Sequence, residues 1–214
     1  MEEMSLQAPI AAERGATVSG AAPRDLREWL DRVERLGLLK RITAEVDWDE
    51  EMSAITYMVA QEIGAPALLF EKTKGYLPEF RALWNLLGPS LPRVALSLGE
   101  PHDTGVMELI QRCKTKLNRT IAPVFVDAQD APVNSHHMRG DEVDITRFPA
   151  PRHWPRDGGR YIGTADATIT RDPDGGWLNV GCYRQMVQDR NHVGLYLSPG
   201  KDARLHIERY WSRN

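Results

Sequence analysis

From Arg24 onward apolar residues recur at helical spacing: Leu26, Trp29, Leu30, Val33 and Leu36 share one face, and Gly37 is placed to end the helix. The pattern then switches to alternation. Leu38 to Val46 sets Ile42, Ala44 and Val46 against Arg41, Thr43 and Glu45, which predicts a strand. A second helix is predicted from about Asp49 to Ile63, with Met52, Ile55, Val59 and Ile63 facing a core and Gly64-Ala65-Pro66 stopping it. Ala67 to Phe70 and Ala82 to Leu87 read as short buried strands around a Lys74-Gly75-Tyr76 turn, and Met107 to Lys116 as a further helix. Such alternation predicts a compact α/β domain over residues 23–121.

Beyond Ile121 the texture changes. Pro123, Pro132, Pro149, Pro151 and Pro155 punctuate a stretch without regular apolar repeats, which predicts an extended surface connection. Gly158 to Arg184 then reads as a hairpin. Its first arm places Ile162, Thr164, Asp166 and Thr168 on one face and Gly163, Ala165, Ala167 and Ile169 on the other; Asp172-Pro173-Asp174-Gly175-Gly176 supplies the turn. Val193 to Ser198 is a further predicted strand, and Pro199-Gly200 opens a polar helix from about Lys201 to Trp211. Successive strands around Gly-rich turns predict the first part of an antiparallel barrel or sandwich over residues 122–214, which the sequence ends without closing. The expected class is α+β.

Composition narrows the functional classes. A formal charge of −3 over 214 residues, with basic and acidic side chains interspersed, gives no field that would gather nucleic acid or anionic lipid. Cys113 and Cys182 lie far apart in a chain with neither a signal peptide nor an apolar run near the ~20 residues that span a bilayer, so reduced thiols and a cytoplasmic location are expected. Residues 1–22 read as a disordered leader. Glu2, Glu3 and Glu13 fit a mitochondrial presequence badly.

Candidate chemistry gathers on the second hairpin arm. Asn179 and Gly181 share a strand face, and Gly181 removes a side chain where a flat ring or a phosphate would need close approach. Arg184 has the opposite parity, so a bulge or bend is needed to bring it to that face. Its guanidinium is a fixed fork for a carboxylate or phosphate, with a surface salt bridge as the alternative, while a strand-end Asn179 bonded to backbone is the plain reading of that residue. Other residues have plainer explanations: His136-His137 as an exposed loop pair, His153 and Trp154 as core packing or the wall of a pocket, Cys182 as a buried thiol. Gly158, Gly159, Gly175 and Gly176 match no phosphate-loop pattern and read as turn formers.

The Asn-x-Gly-x-Tyr-Arg run (Asn179, Gly181, Tyr183, Arg184), preceded by Asp-Gly-Gly-Arg-Tyr-Ile (Asp157 to Ile162), resembles the cofactor-binding core of the UbiD family of decarboxylases. Asp25-Leu26-Arg27-Glu28-Trp29-Leu30 and Pro66 to Glu71 with Lys74-Gly75-Tyr76 occur in the family's order. The resemblance implies a reversible, non-oxidative (de)carboxylase of an aromatic or α,β-unsaturated carboxylic acid, using prenylated FMN on a split antiparallel barrel. It implies that Asn179 helps hold a manganese or magnesium ion tying down the cofactor phosphate, with potassium as an additional ion. Arg184 would orient the substrate carboxylate, and Gly181, Cys182 and Lys201 would also contact the cofactor. An ungapped count from Asn191-His192 puts Asp202 where the family has a metal-binding histidine; aspartate can replace imidazole on these metals at the cost of added negative charge. The family's remaining metal-binding glutamate, its catalytic glutamates and its C-terminal domain are expected beyond Asn214. The Asn-x-Gly-x-Tyr-Arg and Ser-Pro-Gly-Lys runs resemble hydroxyarenoate-type more than cinnamate-type members. A homo-oligomer or a complementing subunit is implied, and the alternative is a non-catalytic or partner-dependent subunit that binds flavin or complements a second chain.

Overall fold

The structure, a computed structural model, describes residues 21–213, so the expected leader lies almost entirely outside the described residues. The class is α+β, as the sequence predicts. The chain divides into two compact units. One comprises the segment ending at Ile42 with Thr56–Leu69 and Leu83–Pro123; the other comprises Thr43–Ile55, Phe70–Ala82 and the segment from Val124 on.

In the first unit, helix α1 (Leu26–Arg35) starts where Asp25 Oδ1 accepts the backbone N–H of Glu28 at 2.8 Å. It ends in a left-handed turn at Gly37 (φ 69°), where Gly37 N–H reaches Glu34 O and Leu38 N–H reaches Val33 O. That pair of bonds needs a residue free to take positive φ. Trp29 and Val33 are buried against Ala67 and Leu96, and Trp29 Nε1 donates to Ser97 Oγ at 2.8 Å. Helix α4 (Val106–Leu117) lies where the sequence places it.

A seven-residue helix, α3 (Leu91–Ser97), escapes the periodicity analysis because it is under two turns long and opens on Pro92. It carries Arg93, which is fully buried, has no carboxylate partner among the described residues, and whose guanidinium donates to Ala65 O, Leu86 O, Leu87 O and Asn85 O. The side chain ties the 85–88 loop to the helix, and burial lowers its pKa.

Strands β1 (Leu39–Val46), β2 (Ala67–Thr73) and β3 (Ala82–Trp84) form one sheet in the order β1-β2-β3. Residues 67–70 of β2 are buried, matching the continuous apolar run. Other expectations fail locally. Ala44 is exposed, β3 stops at Trp84 rather than Leu87, and helix α2 (Glu51–Ala60) stops before Ile63, which is almost wholly exposed. Gly64 (φ 80°) and Pro66 close by leave no room for another helical turn.

In the second unit the connection from Val124 carries three short 3-10 turns and no strand before Tyr161. The first hairpin arm is not continuous, contrary to the alternation pattern. Strand β4 (Tyr161–Gly163) joins β7 (Gln185–Val187) and β8 (Val193–Leu195) in an antiparallel sheet ordered β4-β7-β8, whereas β5 (Thr168–Arg171) forms a separate two-stranded pair with β6 (Leu178–Gly181). Asp166 makes the break: its Oδ2 accepts from Thr168 Oγ1 and from Gln185 Nε2, both at 2.7 Å. A Cβ on Gly163 would lie 2.7 Å from Asp166 Oδ1 and crowd the carboxylate that holds this turn-back. No closed barrel forms among the described residues.

Helix α5 (Asp202–Trp211) packs on one face of the β5–β6 hairpin through Ala203 and His206. Asp172, buried in the hairpin turn, accepts the backbone N–H groups of Asp174 and Gly175 on Oδ1 and pairs with Arg209 of α5 through Oδ2. Turn and helix are thus fixed to each other. Among the described residues no helix is long and apolar enough to cross a membrane.

Candidate active site

Strand β6 directs the site. Register pairs Thr168 with Gly181 and Thr170 with Asn179, so these four residues share the face under α5, while Ile169 and Val180 face outward. Asn179 and Gly181 thus lie on one face, as their spacing predicts. Asn179 is buried and bonded to side chains rather than backbone: its Nδ2 donates to Thr170 Oγ1 and to Tyr183 Oη, each at 3.2 Å.

Tyr183 belongs to the Asn-x-Gly-x-Tyr-Arg run without a role assigned to it there, and it follows Asn179 and Gly181 at the same i, i+2, i+4 parity. Its ring lies across Gly181, where an added Cβ would sit 2.6 Å from Cε2 and 2.9 Å from Oη. Glycine is needed here first to seat this tyrosine. Tyr183 Oη also accepts the backbone N–H of Ala203 at 3.3 Å, so the first turn of α5 and Asn179 meet on one hydroxyl oxygen.

Strand β6 ends at Gly181 and the chain crosses through Cys182, Tyr183 and Arg184 into β7 of the other sheet. That crossing resolves the parity of Arg184: the strand ends rather than bulges. Arg184 is exposed, its guanidinium carbon stands 5.8 Å from the Tyr196 ring centroid, and no carboxylate pairs with it among the described residues. Cys182 is exposed, against the expectation of a buried thiol, because the crossing turns it outward while Tyr183 turns in.

Around this crossing lies an open, mainly polar cavity of about 630 Å³ whose walls include Gly181, Cys182, Arg184, Tyr196, Lys201 and Asp202. Five of the six predicted site residues line it. Asn179 stands behind the wall, linked to it through Tyr183. Arg184 is shared by two further hollows, one of about 530 Å³ with Tyr161, Met186 and Leu195, and one of about 510 Å³ with His153, Trp154 and Asp157. His153 and Trp154 thus line a pocket. Burial pushes the His153 pKa down against the pull of Asp157, which favours a neutral imidazole at neutral pH. His136 and His137 are exposed and belong to none of these hollows.

The side chains present suit an anionic cofactor. Lys201 precedes the N-terminal end of α5, where the helix dipole and the first-turn backbone N–H groups other than that of Ala203, which Tyr183 takes, favour a phosphate. Asn179 Oδ1 accepts no hydrogen bond among the described residues, and Asp202 opens α5; both are hard oxygen donors of the kind magnesium and manganese take. They would fill two positions only, since among the described residues no three His, Cys, Asp or Glu side chains cluster as a metal site.

Two family models match the chain in order. The N-terminal domain of 3-octaprenyl-4-hydroxybenzoate carboxy-lyase covers residues 30–113, and the Rift-related domain of the same family covers residues 124–214. The chain is 34% identical over 196 residues to a pyrrole-2-carboxylic acid decarboxylase of Pseudomonas aeruginosa, a match spanning 88% of this chain and 39% of the relative. Among solved structures, the vanillic acid decarboxylase of Sedimentibacter hydroxybenzoicus in closed form superposes with a TM-score of 0.82 at 29% identity, covering 89% of this chain and 40% of that one. An evolved dimeric form of the UbiD-class enzyme HmfF from Pelotomaculum thermopropionicum, in complex with prFMN, gives 0.71 at 29% identity, over 88% and 40%. The chain spans about two fifths of the length of these relatives. Matched in order by both family models, over residues 30–113 and 124–214, the chain belongs to the UbiD family.

Proposed function

We propose that this chain supplies the cofactor-binding side of a UbiD-type reversible, non-oxidative decarboxylase acting on an aromatic or α,β-unsaturated carboxylic acid. The observation that carries the reading is the convergence of Gly181, Cys182, Arg184, Lys201 and Asp202 on one cavity. Lys201 and the start of α5 would hold the phosphate of prenylated FMN, and Asn179 and Asp202 would share a manganese or magnesium ion with that phosphate. Loss of CO2 leaves an electron pair on carbon, and prenylated FMN supplies the sink that protein side chains lack. The task of Arg184 is positional: beside Tyr196 and without a carboxylate partner among the described residues, it can grip the leaving carboxylate with two parallel N–H bonds. The apolar hollow with Tyr161, Met186 and Leu195 would take the body of the acid.

We further propose that residues 23–121 form the N-terminal domain and residues 122–214 begin a split-barrel flavin domain, a division supported by the spans of the two family models. The acid/base groups that the reaction needs are expected from the family's downstream segments, and a homo-oligomer or a complementing polypeptide is the assembly this reading expects. The test joins this chain to the downstream part of a relative, as a fusion or a second polypeptide, loads prenylated FMN and manganese, and follows exchange of labelled bicarbonate into a panel of aromatic acids. Exchange that depends on this chain supports the reading. Flavin binding without exchange of any acid would reduce the chain to a binding subunit.

A further inference from the structure

His206 sits on α5 against the inner face of the β5–β6 hairpin, 1% exposed, with the Trp177 ring edge-on at 4.6 Å between centroids. Its Nδ1 lies 2.9 Å from Thr170 Oγ1, and Thr170 stands directly across the ladder from Asn179, whose Nδ2 donates to the same oxygen. A hydroxyl carries one hydrogen and can accept while it donates. With Thr170 accepting from Asn179 as it does here, its own hydrogen is used only if His206 Nδ1 is an acceptor, that is, if the neutral ring carries its hydrogen on Nε2, which is buried near the Trp177 ring and has no hydrogen-bond partner among the described residues. The three groups then form a directed chain, Asn179 N–H to Thr170 O–H to His206 Nδ1, in which each bond polarises the next. With the hydrogen on Nδ1, Thr170 Oγ1 would accept from His206, and its own hydrogen would find an acceptor only if the Asn179 amide turned over and offered its oxygen. That would turn nitrogen, not oxygen, to the side away from Thr170 and Tyr183.

We propose that His206 is a positioning residue that, acting through Thr170, fixes the Asn179 amide with its nitrogen toward Thr170 and Tyr183 and its carbonyl oxygen free for a divalent cation. The importance of that oxygen rests on the function proposed above; the orientation itself does not. The sequence carries no hint of the pairing, since 36 residues separate Thr170 from His206.

Two measurements on the chain test it. Nitrogen-15 NMR of histidine-labelled protein at neutral pH should show His206 with Nε2 protonated and Nδ1 bare, and Thr170→Val should shift the Nδ1 resonance. Protonation on Nδ1 in the wild type would overturn the proposal whatever the variants do. In the second measurement, manganese is titrated in the presence of FMN. His206→Leu should weaken binding about 10-fold, the usual scale for an outer-shell partner of a metal ligand, whereas His206→Asn, whose Oδ1 can stand where Nδ1 stood, should stay within about twofold of wild type. Equal loss in both variants, or none in His206→Leu, would overturn it. If wild type binds neither manganese nor FMN, the functional reading fails. The tautomer, with the exchange rate of the Asn179 side-chain amide protons in His206→Leu against His206→Asn, still decides the orientation: equal rates would contradict it, faster exchange in His206→Leu alone would support it.

Discussion

Asn179 and Tyr183, four residues apart, are joined by a 3.2 Å hydrogen bond from Nδ2 to Oη that exists only because Gly181 leaves room for the tyrosine ring between them. A methyl group at Gly181 would lie 2.6 Å from the ring and push Tyr183 off both Asn179 and Ala203. Gly181→Ala should therefore destabilise the second unit by about 1–3 kcal/mol, as overpacking does. Tyr183→Phe, which removes only the shared acceptor, should cost about 1–2 kcal/mol. Urea denaturation followed by tryptophan fluorescence checks both; midpoints equal to wild type would contradict the packing described.

The pairing of Asp172 with Arg209 carries a pH dependence. Backbone N–H donation from Gly175, with Arg209 beside it, holds the Asp172 carboxyl below its usual range. A carboxylate depressed in the folded state stabilises fully above its unfolded pKa, near 4, and loses that contribution as pH falls through the lower folded value. Denaturation midpoints measured from pH 6 down to pH 2 should fall more steeply for wild type than for Asp172→Asn. Parallel profiles would show that this carboxylate does not anchor α5.

Arg93 is the buried hub of the first unit, and four backbone carbonyls depend on it. Arg93→Met keeps apolar volume but strands those acceptors, an expected loss of about 3 kcal/mol. Arg93→Lys should recover little, because one ammonium cannot reproduce the planar fork. Thermal unfolding of the two variants gives the answer: a Lys variant as stable as wild type would contradict the role of the fork.

Much of the fold was legible because it rests on local rules. The Asp25 cap, the Gly37 stop and the apolar run of β2 each declare themselves within a few residues. What escaped depends on contacts made at a distance. Asp166 breaks an apparently regular strand because Gln185, nineteen residues on, donates to its carboxylate, and α3 is held by Arg93 rather than by its own length. Within the candidate site, Asn179, Gly181 and Arg184 were readable as a motif. Tyr183 was readable in principle from parity, and His206 was not, since only the packing of α5 on the hairpin brings it near Asn179 through Thr170.

The central claim turns on Arg184. In a complemented, cofactor-loaded enzyme containing this chain, flavin content by absorbance and decarboxylation rate should be measured together for wild type, Arg184→Lys and Arg184→Ala. If Arg184 grips the substrate carboxylate, Arg184→Lys keeps the charge but loses the two-point fork, so flavin content should hold while turnover falls about 100-fold, and Arg184→Ala should fall at least as far. Unchanged turnover in both variants, with flavin bound, would contradict the account.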